Sequence, residues 1–210
     1  MPDSTIYSTT SDGVINYQNS IVGNARLNAT GTVSDSDTTA LVGIDRIPAG
    51  RGAFYNYIRA FFFFDLSGES GTVDSADLKL YQNTTRDQWF KAVEWSSSAT
   101  SLSAGDYDSV MVSLGTMNPY STKIRATSAG SGYLTFPMNS DGITDIQSAV
   151  GSGLFRVAVV ADEDAIGSLT ISSDHLETFT FSNSAINKPT LEITYTAGVT
   201  YNAPFLGANF

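Results

Sequence analysis

Apolar and polar residues alternate along Ala76-Asp77-Leu78-Lys79-Leu80-Tyr81, and again along Phe155 to Val159, Leu169 to Ile171 and Leu191 to Tyr195. A period of two sends successive side chains to opposite faces of an extended chain, so each stretch predicts a half-buried strand. Between them lie Ser67-Gly68-Glu69-Ser70-Gly71, Ser128-Ala129-Gly130-Ser131-Gly132 and Gly151-Ser152-Gly153, clusters of turn formers that supply positive φ and solvated backbone. Short strands separated by such turns predict an all-β sandwich. Ile58 to Leu66 breaks the alternation, because Phe61, Phe62, Phe63 and Phe64 must point to both faces of their sheet. Something has to cover the second face, either the long N-terminal segment or a neighbouring subunit.

One helix is expected. Asn139-Ser140-Asp141-Gly142 offers capping oxygens, Ile143, Ile146 and Val150 follow on one face, and Gly151 ends the turn, which describes a short connector over one end of the sandwich. Residues 20–50 hold a single compact apolar piece, Ala40 to Ile44, and read as a weak strand between long loops. The domain reading is therefore one β-sandwich over 1–196, with 1–50 packing on it as an N-terminal part. Residues 197–210 form an apolar C-terminal arm. In that arm Tyr201, Phe205, Leu206 and Phe210 are the residues expected to dock, since free tails are usually polar. The arm would fold back on its own sandwich or insert into a neighbour.

Composition narrows the chemistry. Eleven Lys and Arg against 21 Asp and Glu leave a net charge of -10, which argues against a nucleic-acid partner, because such binding needs a cationic surface. The longest apolar cluster, Ala60 to Phe64, is strand-sized, so no membrane span is expected. The start, Met1-Pro2-Asp3-Ser4-Thr5, lacks the basic and apolar regions of a signal peptide, as expected of a mature chain or of one made in a cytoplasm. The chain has no cysteine and is indifferent to redox compartment.

Catalysis has few footholds. The single histidine, His175, stands outside any Gly-x-Ser-x-Gly context, and a structural zinc site would need four Cys or His ligands. The reading is not an enzyme, and without a required cofactor. Carboxylates are the abundant reactive groups. Asp35 with Asp37, Asp106 with Asp108, and Asp162-Glu163-Asp164 offer hard oxygen ligands for Ca²⁺, and the last group ranks first because it follows a strongly predicted strand; a solvated acidic loop is the alternative for each. For a sugar the platform candidates are Trp89, Trp95 and Tyr107, with Tyr120 and Tyr133 behind them, since flat rings stack on pyranose faces. The competing role for the two tryptophans is core packing.

Three pieces in order, Arg59-Ala60-Phe61-Phe62-Phe63-Phe64-Asp65-Leu66, Ser75-Ala76-Asp77-Leu78-Lys79-Leu80-Tyr81 and Lys188-Pro189-Thr190-Leu191-Glu192-Ile193-Thr194-Tyr195, resemble the DNRLRE-type domain, a relative of carbohydrate-binding modules. The resemblance spans about residues 55–196. It implies a jelly-roll of two antiparallel sheets and a non-catalytic role. The stretch from Trp89 to Asp108 departs from the commoner bacterial form and is more similar to variants in phage virion proteins. The expectation is a capsid decoration or tail-associated protein that docks on other virion subunits and on copies of itself, made in a host cytoplasm and outside the cell after release. The alternative is a carbohydrate-binding module or adhesin for cell-surface polysaccharide.

Overall fold

The computed structural model describes residues 4–83, 87–111, 116–126, 130–168 and 170–196. In chain order the elements are β1 (Ser4–Tyr7), β2 (Gly13–Asn19), α1 (Val22–Arg26), β3 (Thr32–Ser34), β4 (Thr39–Ala49), β5 (Gly52–Asp65), β6 (Val73–Gln82), β7 (Gln88–Glu94), β8 (Ile124–Ala126), β9 (Gly132–Pro137), α2 (Ser140–Ala149), β10 (Leu154–Ala161), α3 (Asp162–Ala165), β11 (His175–Thr180) and β12 (Thr190–Tyr195). The fold is the all-β antiparallel sandwich that the alternation predicts. The hydrogen-bonded path runs β1-β12-β6-β11-β4-β5-β10-β7-β8, with β2 and β3 added at β5 and β9 at β6.

β5 organises this path. Along one edge it pairs first with β4, Ile58 opposite Gly43, and then with β10, Phe62 opposite Val157. Its other edge carries β2 from Gly13 opposite Phe61 to Asn19 opposite Tyr55. Ile58, Ala60, Phe62 and Phe64 point into the main core, where they meet Leu78 and Leu80 of β6, Phe136 of β9, Phe179 of β11 and Leu191 and Ile193 of β12. Tyr57, Phe61 and Phe63 point the opposite way into a second apolar layer. All four phenylalanines are fully buried, which a two-sided strand requires.

The second face is covered from two sides. The expected N-terminal part supplies Ile15, Ala25 and Ile44, with Tyr17, Val22 and Val33 packed against them, and the segment after β7 adds Trp95, Leu102, Tyr107, Val110 and Met117. Trp95 meets Phe61 and Phe63 edge-on, with ring centroids 4.9 and 4.7 Å apart, a favoured aromatic geometry. Among its described residues that segment has little regular structure beyond a 3-10 turn at Ala104–Asp106, so no period announces its role.

The expected connector helix is α2. The Asn139 side chain accepts from the amides of Asp141 and Gly142 at 3.1 and 3.0 Å, which satisfies donors left open at a helix start. Ile146 and Ala149 are buried, and Gln147 accepts from the Val73 amide at 2.7 Å, which fixes the helix over one end of the sandwich. Two shorter helices, α1 and α3, were not expected. The weak strand at Ala40 to Ile44 proves to be part of the 11-residue β4. There Gly43 has φ +124°, and a Cβ would lie 1.8 Å from the His175 carbonyl oxygen, so only glycine lets β11 approach this closely. Of the strand expected at 169–171, Thr170 and Ile171 stand outside any strand, and Ile171 is buried in the second layer.

Asp12 fastens the start of β2 to the chain after β11. It accepts from Ser8 Oγ at 2.8 Å and from the Ser182 amide at 3.0 Å, and also from Ser182 Oγ. Burial raises its pKa above the ordinary aspartate value, against the hydrogen bonds from Ser182 and Ser8, which lower it.

Two outcomes follow. Phe61→Ala and Phe62→Ala should each cost about 3–5 kcal/mol in denaturant unfolding, although they face opposite layers; a small loss at Phe61 alone would mean that the second layer is not packed. At Asp12 the folded chain holds its proton to higher pH than the unfolded chain does, so the contribution is full below about pH 3.9 and is lost as pH rises through the raised folded value. The unfolding temperature of Asp12→Asn relative to the parent should therefore shift in the variant's favour between acid and neutral pH, and a flat difference would contradict the raised pKa.

Candidate functional site

The densest cluster of charged groups lies in the second layer. Alternation along β5 places Arg59 among Tyr57, Phe61 and Phe63, where it is fully buried. Its Nε and Nη2 donate to the two carboxylate oxygens of Asp164 at 2.7 and 3.0 Å, and its Nη1 donates to the Tyr107 carbonyl at 2.6 Å. Nη2 also donates to the Arg26 carbonyl at 2.9 Å. Arg26 in turn donates from Nε and Nη2 to the Asp164 carbonyl at 3.0 and 2.7 Å, and its Nε lies 3.1 Å from Asp164 Oδ1. The Tyr107 hydroxyl donates to the Ala25 carbonyl at 2.7 Å, and the Arg59 guanidinium sits 4.2 Å from the Tyr107 ring centroid.

Burial works against the Arg59 charge, but Asp164 more than offsets it and the pKa is raised. Burial likewise raises the pKa of Tyr57 and Tyr107. The arrangement is a staple that ties α1, β5, α3 and the segment around Tyr107 together. The Arg26, Arg59 and Asp164 side chains are closed to solvent and engaged with one another.

The staple also decides the acidic triplet. Asp162, Glu163 and Asp164 stand on α3 rather than on an open loop, and each carboxylate faces a cation or a histidine. Asp162 lies 2.8 Å from Lys91 Nζ and 3.3 Å from Lys123 Nζ, Glu163 lies 3.2 Å from His175 Nδ1, and Asp164 holds the two arginines. Among the described residues no three His, Asp or Glu side chains are grouped to hold a metal ion. At the expected Ca²⁺ ligands, therefore, the Asp162 and Asp164 carboxylates stand in ion pairs and the Glu163 carboxylate lies against His175. Asp106 is spent too, accepting from the Ser103 amide and hydroxyl at 2.8 and 2.7 Å.

The expected sugar platform of Trp89, Trp95 and Tyr107 does not assemble. Trp95 and Tyr107 are interior, and Trp89 is exposed at the β7–β8 edge with Lys123 Nζ 5.0 Å and Arg125 Cζ 5.7 Å from its ring centroid. Trp95 does not share the exposed face of Trp89 because β7 ends at Glu94 and the chain turns Trp95 inward. The docking residues Tyr201, Phe205, Leu206 and Phe210 lie outside the described residues.

A concave region of about 580 Å³ is lined by the Lys91, Lys123 and Asp162 ion pairs, among others, and two further concave regions lie elsewhere. A cleft of about 680 Å³ between α2 and the ends of β7 and β10 is lined by Glu94, Asp145, Ser148, Ser152 and Arg156, among others. Glu94 accepts from Asn118 at 3.0 Å, Asp145 from the Tyr120 hydroxyl, and Arg156 donates to the Ala99 and Ser98 carbonyls at 2.7 and 3.3 Å. Tyr120, the fourth platform candidate, is interior.

The other is a groove of about 510 Å³ lined by Tyr7, Tyr133, Ala185, Ile186, Asn187 and Lys188. Register builds it: Tyr7 lies opposite Thr190, Thr190 opposite Lys79, and Tyr81 opposite Tyr133. These residues share the outer face of the β1-β12-β6-β9 sheet, and Tyr81 meets Tyr133 edge-on at 5.3 Å. Tyr133 was visible as a platform candidate; Tyr7 was not, because the four residues of β1 show too little period to be read.

No protein-family model matches the chain, and no curated protein matches it. Among the described residues no helix is long and apolar enough to cross a membrane.

The staple has a measurable signature. Asp164→Asn should destabilise the chain by about 3–5 kcal/mol, because it leaves two buried guanidiniums without a counter-charge. Combining Arg59→Met with Asp164→Leu should cost clearly less than the two single changes added together; strict additivity in denaturant unfolding would show that the pair does not act as a unit.

Proposed function

We propose that this chain is a non-enzymatic structural accessory protein of a virion, a capsid decoration or tail-associated component that docks on other virion subunits and on copies of itself. The observation that supports the reading most is the doubled core: a 14-residue strand buried on both faces from Tyr57 to Phe64 and locked on its outer side by the Arg59–Asp164 pair. Such a body is stiff, because close-packed interiors transmit strain rather than absorb it. The same packing ties up the carboxylates of α3 in ion pairs, which is what a scaffold needs and a hydrolase does not. Many symmetric copies would multiply a modest contact per subunit. The resemblance of Arg59–Leu66, Ser75–Tyr81 and Lys188–Tyr195 to virion variants of the DNRLRE-type domain points the same way, and the docking residues of this reading are Tyr201, Phe205, Leu206 and Phe210.

A second reading, recognition of polysaccharide, is favoured by one observation: Tyr7 and Tyr133 are 59% and 46% exposed in a common groove, and rings of this kind are the usual stacking partners of sugars.

The first reading is tested by co-sedimentation of the full chain with particles of the virus that encodes it, alongside light scattering of the free protein. The full chain is expected to sediment with particles, and Phe205→Ser with Leu206→Ser and Phe210→Ser to lower the bound fraction at least about tenfold while leaving the unfolding temperature unchanged, a loss of about 1.4 kcal/mol or more. A chain that never co-sediments refutes the virion role.

A further inference from the structure

We propose that the groove between Tyr7 and Tyr133 binds an acidic oligosaccharide, a pyranose chain bearing carboxylate or sulfate groups, with the rings stacked on the two tyrosines and the anion on Lys188. The inference rests on the second reading above and specifies its site and ligand class.

Several independent features meet in this groove. Tyr7, Tyr133 and Ile186 are three of the large apolar side chains most open to solvent, Ile186 at 69%. Asn187, on the rim, is the single non-glycine residue with positive φ among the described residues, at +58°. Asparagine tolerates this conformation better than most residues, and here it sets the turn that leads into Lys188. The groove is concave, and its lining contains no carboxylate.

Charge selects the ligand. Most cations of this chain are committed: Arg26 and Arg59 to Asp164, Lys91 and Lys123 to Asp162, Lys79 to Glu192, and Arg125 to Asp87. Lys188 makes no such ion pair among the described residues. The buried Asp12 lies within electrostatic range of it, but its oxygens are already taken by Ser8 and Ser182. A lysine without an ion pair that lines the same groove as two tyrosines, with no acid in the lining, complements an anionic sugar and opposes a cationic one. The net charge of -10 does not forbid this, since charges farther than about 8 Å are largely screened at physiological salt. The Asn187 amide and the tyrosine hydroxyls supply neutral partners for sugar hydroxyls.

The test is isothermal titration calorimetry of the full chain at physiological salt with three probes: tetragalacturonate, a chondroitin sulfate tetrasaccharide and neutral laminarihexaose. At least one acidic probe is expected to bind at least about tenfold more tightly than the neutral one, and comparison of the two acidic probes separates carboxylate from sulfate as the preferred anion. Lys188→Gln should bring the acidic probe down to the neutral level, while Tyr133→Ala should weaken both by about tenfold. Tyr7→Ala tests the same stack from the edge strand if Tyr133→Ala lowers the unfolding temperature. Equal binding of neutral and acidic probes overturns the assignment of Lys188. Binding that survives Tyr133→Ala, Tyr7→Ala and Lys188→Gln places the sugar elsewhere and overturns this inference, while glycan recognition itself stands. No binding of any probe overturns both.

Discussion

A charged arginine in the middle of an apolar layer is the constraint around which this fold is arranged. Arg59 lies on the same face of β5 as Phe61 and Phe63 and has no access to water. A buried guanidinium without partners would cost many kcal/mol, so the chain must bring it a carboxylate and carbonyl oxygens. It does so from three places, Asp164 after β10 and the Tyr107 and Arg26 carbonyls, while the Arg26 guanidinium shares Asp164. The described residues 95–111 have little regular structure to hold them, and their position is tied to this pair through Trp95 and Tyr107. Net stability from a buried ion pair is small at best. Its effect is on specificity, because any other placement of α1, α3 or Tyr107 leaves a charge unmatched.

The same arrangement shapes what is left for function. Once Asp162, Glu163 and Asp164 face Lys91, Lys123, His175, Arg59 and Arg26, the densest run of acids in the chain has become a structural helix. Trp95 and Tyr107 have become the packing of the second layer. Tyr7 and Tyr133 remain at the surface because their strands have one solvated face in the β1-β12-β6-β9 sheet, and the tyrosine groove lies there. A stiff body and a patterned outer face are compatible roles: a particle-bound subunit can also present a glycan site to the outside.

Fold class and several elements were legible in the residues. The period of two at Ala76 to Tyr81, Phe155 to Val159 and Leu191 to Tyr195 identified β6, β10 and β12, and the capping oxygens at Asn139 identified α2. The run Phe61 to Phe64 announced a strand buried on both faces. It did not point to the segment after β7 as a second source of cover, because the packing partner of an aromatic residue is a matter of three-dimensional adjacency. Tyr133 could be singled out as a platform candidate, whereas Tyr7 on the short β1 could not.

What the sequence by itself determined is therefore local: where the backbone extends, where it turns, which faces must be apolar, and that acids outnumber bases by 21 to 11. Those properties depend on neighbours within a few positions, and a period or a cap reports them. Only the tertiary structure decided which acid meets which base and which aromatic is covered. Asp164 and Arg59 are 105 residues apart, and Tyr7 and Tyr133 come together through the β1–β12–β6–β9 register. Pairing over such separations is set by strand order and by the need to leave no buried charge alone, and neither is written in any single stretch of chain.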